Sequence, residues 1–314
     1  MNKIPFSNII GNNKVKNKLS FYLDNYKDNR YFPPVLLSGS KGNGKTMFSR
    51  EIGRNLINPD TNLPKKFIEV SGIELQKPKH FFESIVIPHM QNEACSIFVD
   101  ESHGIGLDAC IMFLQILSPN DEHFNTYTYD GVTYDFSLKN HSFIFASSEP
   151  NKVLDTLLDR LEHIEVSDYK IEELSQMAAR KLKDYQTDKD LLTDIASVCR
   201  GNARGLIKIS GHISDYLARQ KKYTFDNLDW SAIKNNLSIN PMGLSELEIK
   251  ILKTLKTYPN SSLTKIASVT GLSRDAIRLS YEIHLLKNNF MSIQPGSGRA
   301  LTDAGHKYLE KLVD

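Results

Sequence analysis

The stretch Leu36 to Thr46, Leu-Leu-Ser-Gly-Ser-Lys-Gly-Asn-Gly-Lys-Thr, restricts the possible folds of this chain more than any other. The apolar run Val35 to Leu37 reads as a buried strand, Gly39-x-x-x-x-Gly44-Lys45-Thr46 as a tight loop, and Met47 to Leu56 as a helix. Strand, glycine loop and helix in that order make a phosphate-binding loop. The glycines let successive backbone N–H groups turn inward around an oxyanion, and the helix N-terminus adds partial positive charge. Lys45 is then expected to reach the outer phosphates and the Thr46 hydroxyl to hold magnesium.

A second stretch completes that chemistry. Ser96-Ile-Phe-Val-Asp100-Glu101 is an apolar strand ending in two carboxylates. Hydrolysis of a nucleotide needs one acid to hold hydrated magnesium and another to polarise the attacking water, so Asp100 and Glu101 fit those two roles. His141-Ser-Phe-Ile-Phe-Ala146 is a further buried strand, and Ser147 and Ser148 at its end are placed to hydrogen-bond the outer phosphate or the lytic water. Strands alternating with helices from 35 to 166 predict a parallel sheet covered on both faces, with the site at the strand C-termini.

With 314 residues the chain is long enough for two or three cored domains, and 40% hydrophobic with 24% charged residues is an ordinary globular composition. A net charge of +2 leaves any nucleic-acid surface to local clusters. Cys95, Cys110 and Cys199 have no metal-ligand spacing and read as buried, reduced thiols. Neither a signal core nor a membrane-length apolar run is visible, so a cytoplasmic protein without membrane contact is expected.

Residues 124–138 predict a hairpin, with two alternating runs flanking Asp130-Gly131. Pairing across that turn sets Tyr129 opposite Val132 and Tyr127 opposite Tyr134 on one face, with Thr126, Thr128, Thr133 and Asp135 on the other. That aromatic face either folds onto the core or projects toward a partner. From Ile171 to Tyr216 the pattern is all helical, with Arg200-Gly-Asn-Ala-Arg204 separating two helices. Trp230 reads as core. Pro241-Met-Gly opens a third unit of three short amphipathic helices, 246–255, 263–269 and 273–287, with Ser273 as an N-cap. Strand-like pieces at 290–293 and 300–302 enclose a Gly/Pro tip, which completes a winged helix-turn-helix. Arg274, Arg278 and Lys287 on its presumed recognition helix, and Arg299 at the wing, are expected to contact DNA phosphates.

Taken together these segments resemble the AAA+ ATPases, and most closely the RuvB family of Holliday junction branch-migration motors, from Phe6 to about Leu309. The fold class implied is an α/β AAA+ domain over 1–166 with a hairpin inserted at 124–138, an all-α lid over 167–239, and a winged helix domain over 240–314. The resemblance implies that Phe6 and Ile9, Ile10 and Gly11 form the adenine-side box. Gly39, Gly42, Asn43, Gly44, Lys45, Thr46 and Met47 are then the phosphate loop and helix start. Asp100-Glu101-Ser102-His103 matches the Asp-Glu-x-His form of the second ATPase motif, and Ser147 and Ser148 match a sensor. Arg160, in Asp-Arg-Leu, is implied as a finger reaching a neighbouring subunit's site. Tyr169 matches a tyrosine near adenine and Arg204 a second sensor. The hairpin, through Tyr127, Tyr129, Val132 and Tyr134, is implied to dock a RuvA-like junction-binding protein.

The sequence departs from the family at several points. The loop reads Gly-Ser-Lys-Gly-Asn-Gly in place of Gly-Pro-Pro-Gly-x-Gly, Leu158 replaces an arginine two positions before the finger, Glu162 replaces a glycine, and Arg299 alone remains of paired wing arginines. The expectation is an ATP- and Mg2+-dependent motor, assembled as a six-membered ring on the duplex arms of a four-way junction. Its rival is a nucleotide-switched loader that assembles on DNA and delivers a partner without translocating.

Overall fold

The computed structural model describes residues 4–312 apart from 59, 295 and 297. It divides into two compact units, Met1–Phe225 and Asp226–Asp314. This division puts the Asn227–Leu237 helix, with fully buried Trp230, in the second unit rather than in a lid ending at 239.

The first unit is built on a five-stranded sheet in the order Lys66–Ser71, Cys95–Asp100, Ser142–Ser147, Val35–Ser38, Glu162–Glu165. Every pairing in it is parallel. The three central strands are mostly apolar and buried along nearly their whole length because both of their faces are covered. One apolar cluster, with Phe82, Phe113, Phe143 and Phe145, fills one face. The other, with Phe6, Leu19, Leu37, Phe48 and Ile144, joins the Asn13–Asn29 and Lys45–Asn55 helices to the opposite face.

The helical pattern at 79–90 takes two forms, an α turn at Pro78–Phe81 and then a wider π-helix at Phe82–Met90 containing Pro88. All three cysteines are free and buried, and burial pushes the Cys95 thiol to about 11 and that of Cys199 to about 12, so they pack as inert apolar groups. The unit ends with helices at Ile171–Lys181, Lys189–Val198 and Ala203–Gln220, as the periodicity predicts.

The second unit packs the Glu246–Thr257 and Leu263–Thr270 helices, a long helix from Arg274 to Lys287 and the antiparallel pair Met291–Gln294 and Gly298–Leu301 around one core. Ser273 caps the long helix by accepting from the Ala276 N–H, as expected. A bridge from Ser261 to Arg299 adds a third strand position to the wing. The expected wing tip includes Pro295 and Ser297, which lie outside the described residues. A final helix, Asp303–Glu310, follows the wing and buries Tyr308 and Leu309 in the domain core. Among the described residues no helix is long and apolar enough to cross a membrane.

Candidate nucleotide site and DNA interface

The phosphate loop runs from the end of the Val35–Ser38 strand to Gly44, which precedes the Lys45–Asn55 helix. Gly39, Gly42 and Gly44 have φ of 145°, 90° and 91°, the left-handed region that glycine enters without strain. Gly39 has a second reason to be glycine, since a Cβ there would lie 2.2 Å from the Val166 carbonyl oxygen. Lys45 is buried, and its Nζ donates to the carbonyls of Gly39 at 2.7 Å and Ser40 at 3.0 Å, which holds it along the loop. Burial pulls the Lys45 pKa below its ordinary value and Arg204 and Lys41 add to that, while the nearby Glu101 and Asp100 carboxylates oppose it.

Two strand ends bring the acids to this loop. The Thr46 hydroxyl donates to Asp100 Oδ2 at 3.3 Å. Among the described residues no group of three His, Cys, Asp or Glu side chains could hold a metal. A hydroxyl and one carboxylate side by side suit a magnesium ion that takes its other ligands from water and phosphate oxygens. Glu101 turns into the left-handed region, with φ of 49°, and Ser148 Oγ donates to its Oε2 at 3.0 Å. The expected sensor serines therefore divide. Ser148 touches Glu101, whereas fully buried Ser147 bonds His103 Nδ1 at 3.1 Å and accepts from the Glu149 N–H at 3.0 Å.

Of the residues expected around the nucleoside, Phe6 and Ile9 are buried against the core, Ile10 and Gly11 are half-buried, and Met47 is exposed. Gly11 has φ of 71°, and a Cβ there would strike Glu173. Tyr169 is buried with its hydroxyl 2.9 Å from where a Cβ on Gly44 would stand. Asn43, almost wholly buried, donates to Asp168 Oδ1 at 2.8 Å. Arg204 is exposed at the start of the Ala203–Gln220 helix, close enough to lower the Lys45 pKa through its charge. Arg160 stands apart from this group, exposed just beyond the Asp155–Leu158 helix, while Leu158 packs against the core.

The hairpin forms with the expected register, Tyr127 opposite Tyr134 and Tyr129 opposite Val132. Its aromatic face is not left projecting. Tyr129 stacks on Phe82 with centroids 4.5 Å apart, Tyr127 lies at 5.5 Å and Tyr134 at 5.0 Å. The π-helix carries Phe82 under the hairpin, and a nearby aromatic face buries there rather than facing water. Only Val132 of the four expected docking residues is exposed.

In the winged helix Arg274 and Arg278 are exposed on the long helix, Arg278 lying 3.8 Å from Asp275, and Lys287 is exposed near its end. Arg299, also expected on phosphate, already has a partner inside the domain. Its Nε and Nη2 donate to the two carboxylate oxygens of Glu282 at 2.7 and 3.2 Å. Glu282 is buried in the same helix and Arg299 is mostly covered, so the wing arginine is occupied within the domain.

Comparison with known proteins agrees with this geometry. A model of the ATPase family associated with various cellular activities matches residues 35–169, and one of the RuvB C-terminal winged helix domain matches residues 241–310. The chain carries an AAA ATPase domain and a RuvB-type winged helix domain, and over nearly its whole length it resembles RuvB. A Holliday junction branch migration complex subunit RuvB from Thermotoga petrophila is 26% identical over 317 residues, covering 97% of this chain and 90% of that protein. Its counterpart in the Wolbachia of Brugia malayi is 27% identical over 293 residues, covering 88% and 82%. A solved Thermotoga maritima RuvB, a Holliday junction branch migration motor, shares the fold with a TM-score of 0.75 at 22% identity over 98% of this chain and 97% of that one. An AAA+ ATPase of this kind binds nucleotide, which gives the loop its ligand class.

Several contacts around the nucleotide site were not legible from motifs. His103 is 3.4 Å from Glu101 Oε2 through Nδ1 and 3.5 Å from Glu149 Oε1 through Nε2, so it bridges two acids that sequence spacing keeps far apart. A cavity of about 1000 Å³ lies away from the loop, lined among others by Lys65, Met90, Phe124, Tyr134 and His141. None of the phosphate-loop residues line it, so loop geometry rather than cavity size locates the nucleotide.

Proposed function

We propose that the chain is an ATP-driven DNA translocase of the RuvB type, which drives branch migration of a four-way junction as a ring, most simply a hexamer. The observation that carries this reading is one chain holding both a joined Lys45, Thr46, Asp100, Glu101 and Ser148 cluster and a RuvB-type winged helix. The domain plan behind it is a nucleotide domain to 166, a helical lid that ends near Phe225, short of the expected 239, and a DNA-binding unit within the second compact unit.

Within that reading the loop amides and Lys45 hold the β- and γ-phosphates of ATP, and Thr46 with Asp100 holds the magnesium. The ion, when bound, neutralises charge on the phosphate oxygens. Glu101 orients and polarises the attacking water, Ser148 aligns that carboxylate, and Arg204 adds positive charge beside the phosphates. Arg160, exposed, supplies the finger to a neighbouring subunit. Lid movement on hydrolysis is the lever that advances the winged helix along the backbone, where Arg274, Arg278 and Lys287 make the phosphate contacts. A RuvA-like partner would meet the hairpin through its exposed Thr126, Thr128, Val132 and Thr133 rather than its stacked tyrosines.

Steady-state ATP hydrolysis with and without linear duplex or four-way junction DNA, followed by ATP-dependent movement of a synthetic branch point, tests the proposal. DNA-stimulated turnover with branch movement supports the motor. The captive Arg299 gives the loader reading its one structural support. Turnover indifferent to DNA, with no branch movement, would favour that reading instead.

A further inference from the structure

Two peptide planes of the phosphate loop are gripped from outside by the start of the Ala203–Gln220 helix. Asn202 Nδ2 donates to the Lys41 carbonyl at 2.8 Å, and the Arg204 backbone N–H points to the Gly42 carbonyl at 3.4 Å. Asn202 Oδ1 meanwhile accepts from the Gly205 N–H at 3.0 Å, so the same side chain caps the helix and holds the loop. The packing is close, since a Cβ on Gly42 would lie 2.3 Å from Asn202 Oδ1 and 2.7 Å from its Nδ2.

Each of these planes has a second end. The Lys41 carbonyl shares its peptide unit with the Gly42 N–H, and the Gly42 carbonyl shares one with the Asn43 N–H. In a loop of this kind the N–H ends face the phosphates. The Gly42 N–H is the one placed to do so, while the Asn43 N–H also reaches the Ser40 carbonyl at 3.4 Å, a long bond that a phosphate oxygen would compete with. A phosphate that draws those N–H groups inward fixes both planes and polarises the outer carbonyls, which accept from the helix. Bonds linked in series strengthen one another.

We propose that Asn202 is a positioning residue that couples phosphate binding in the loop to docking of the lid helix, through the backbone and independently of the Arg204 charge. The coupling rests on the nucleotide-binding reading of the loop. Asparagine fits this task because its amide presents a donor and an acceptor at once, whereas an aspartate keeps only the cap.

Hydrogen exchange at the Arg204 to Leu206 amides tests this, measured on the full chain with and without saturating ADP, with binding followed separately by a fluorescent ADP analogue. Wild type is expected to exchange about fivefold more slowly there when ADP is bound, the equivalent of one neutral hydrogen bond. Asn202→Asp and the uncharged Asn202→Ser both retain a capping oxygen but lose the donor to Lys41. Each should therefore lose about 1 kcal/mol in urea unfolding and bind ADP about fivefold more weakly, still to saturation. In both, the ADP-dependent slowing should be lost. Equal slowing in wild type and both variants would overturn the coupling, as would a wild type that binds ADP with no slowing. A wild type that binds no ADP would instead remove the nucleotide reading beneath it.

Discussion

The captive wing arginine makes a prediction about salt. Arg299 and Glu282 form a two-pronged ion pair at 2.7 and 3.2 Å, so their charges cancel where the wing meets the long helix. Deleting Arg299 alone is a poor probe, because it leaves buried Glu282 uncompensated at about 3–5 kcal/mol. The informative change is Glu282→Gln with Arg299→Gln, which keeps the volumes and removes both charges. Each phosphate contact contributes about 0.9 to the slope of log affinity against log salt. A pair of zero net charge contributes nothing, so the double variant should keep the wild-type slope, while Arg274→Ala should flatten it by about 0.9. Glu282→Gln alone releases the Arg299 cation and should steepen the slope by as much as that. Between about 50 and 200 mM salt, a change of this size alters affinity about threefold, within reach of fluorescence anisotropy on a labelled junction. If the double variant lost about 0.9 of slope with its unfolding midpoint unchanged, Arg299 would be on phosphate and the reasoning would fail.

Glu101→Gln removes the carboxylate that Ser148 aligns, so ATP should stay bound with turnover reduced at least about a hundredfold, as measured by filter binding beside phosphate release. Arg160→Ala should lower hydrolysis by about 10³ in the assembled ring, and activity near wild type would remove the finger assignment. Burial lowers His141 to about 4, whereas an unfolded histidine titrates near 6.5. The unfolded chain therefore binds the extra proton between those values, and stability should fall as pH drops from 6.5 to 4, by about 3 kcal/mol in all. His141→Gln should flatten that limb in urea titrations. Buried Lys65, lowered to about 7, makes the folded state less stable as pH falls from its unfolded value to 7, so the two windows do not overlap.

Much of this protein is local and so was written along the chain. Glycines at 39, 42 and 44 announce positive φ, an apolar strand ending in Asp100 and Glu101 announces an acidic strand end, and Asp130-Gly131 fixes which tyrosines face each other. Each depends on a few adjacent residues whose conformational limits do not change with context. Hairpin register is of this kind, because turn geometry and period-two alternation leave one solution.

What the chain could not announce is which distant surfaces meet. Phe82 beneath the hairpin tyrosines, Glu282 on Arg299, His103 between Glu101 and Glu149, and Asn202 on the Lys41 carbonyl all join residues from separate elements. An exposed arginine and a paired one look alike in sequence, as do a free aromatic face and a stacked one. The free energy that separates them comes from burial and from partners brought up by the sheet and helices, and only the tertiary structure supplies those partners.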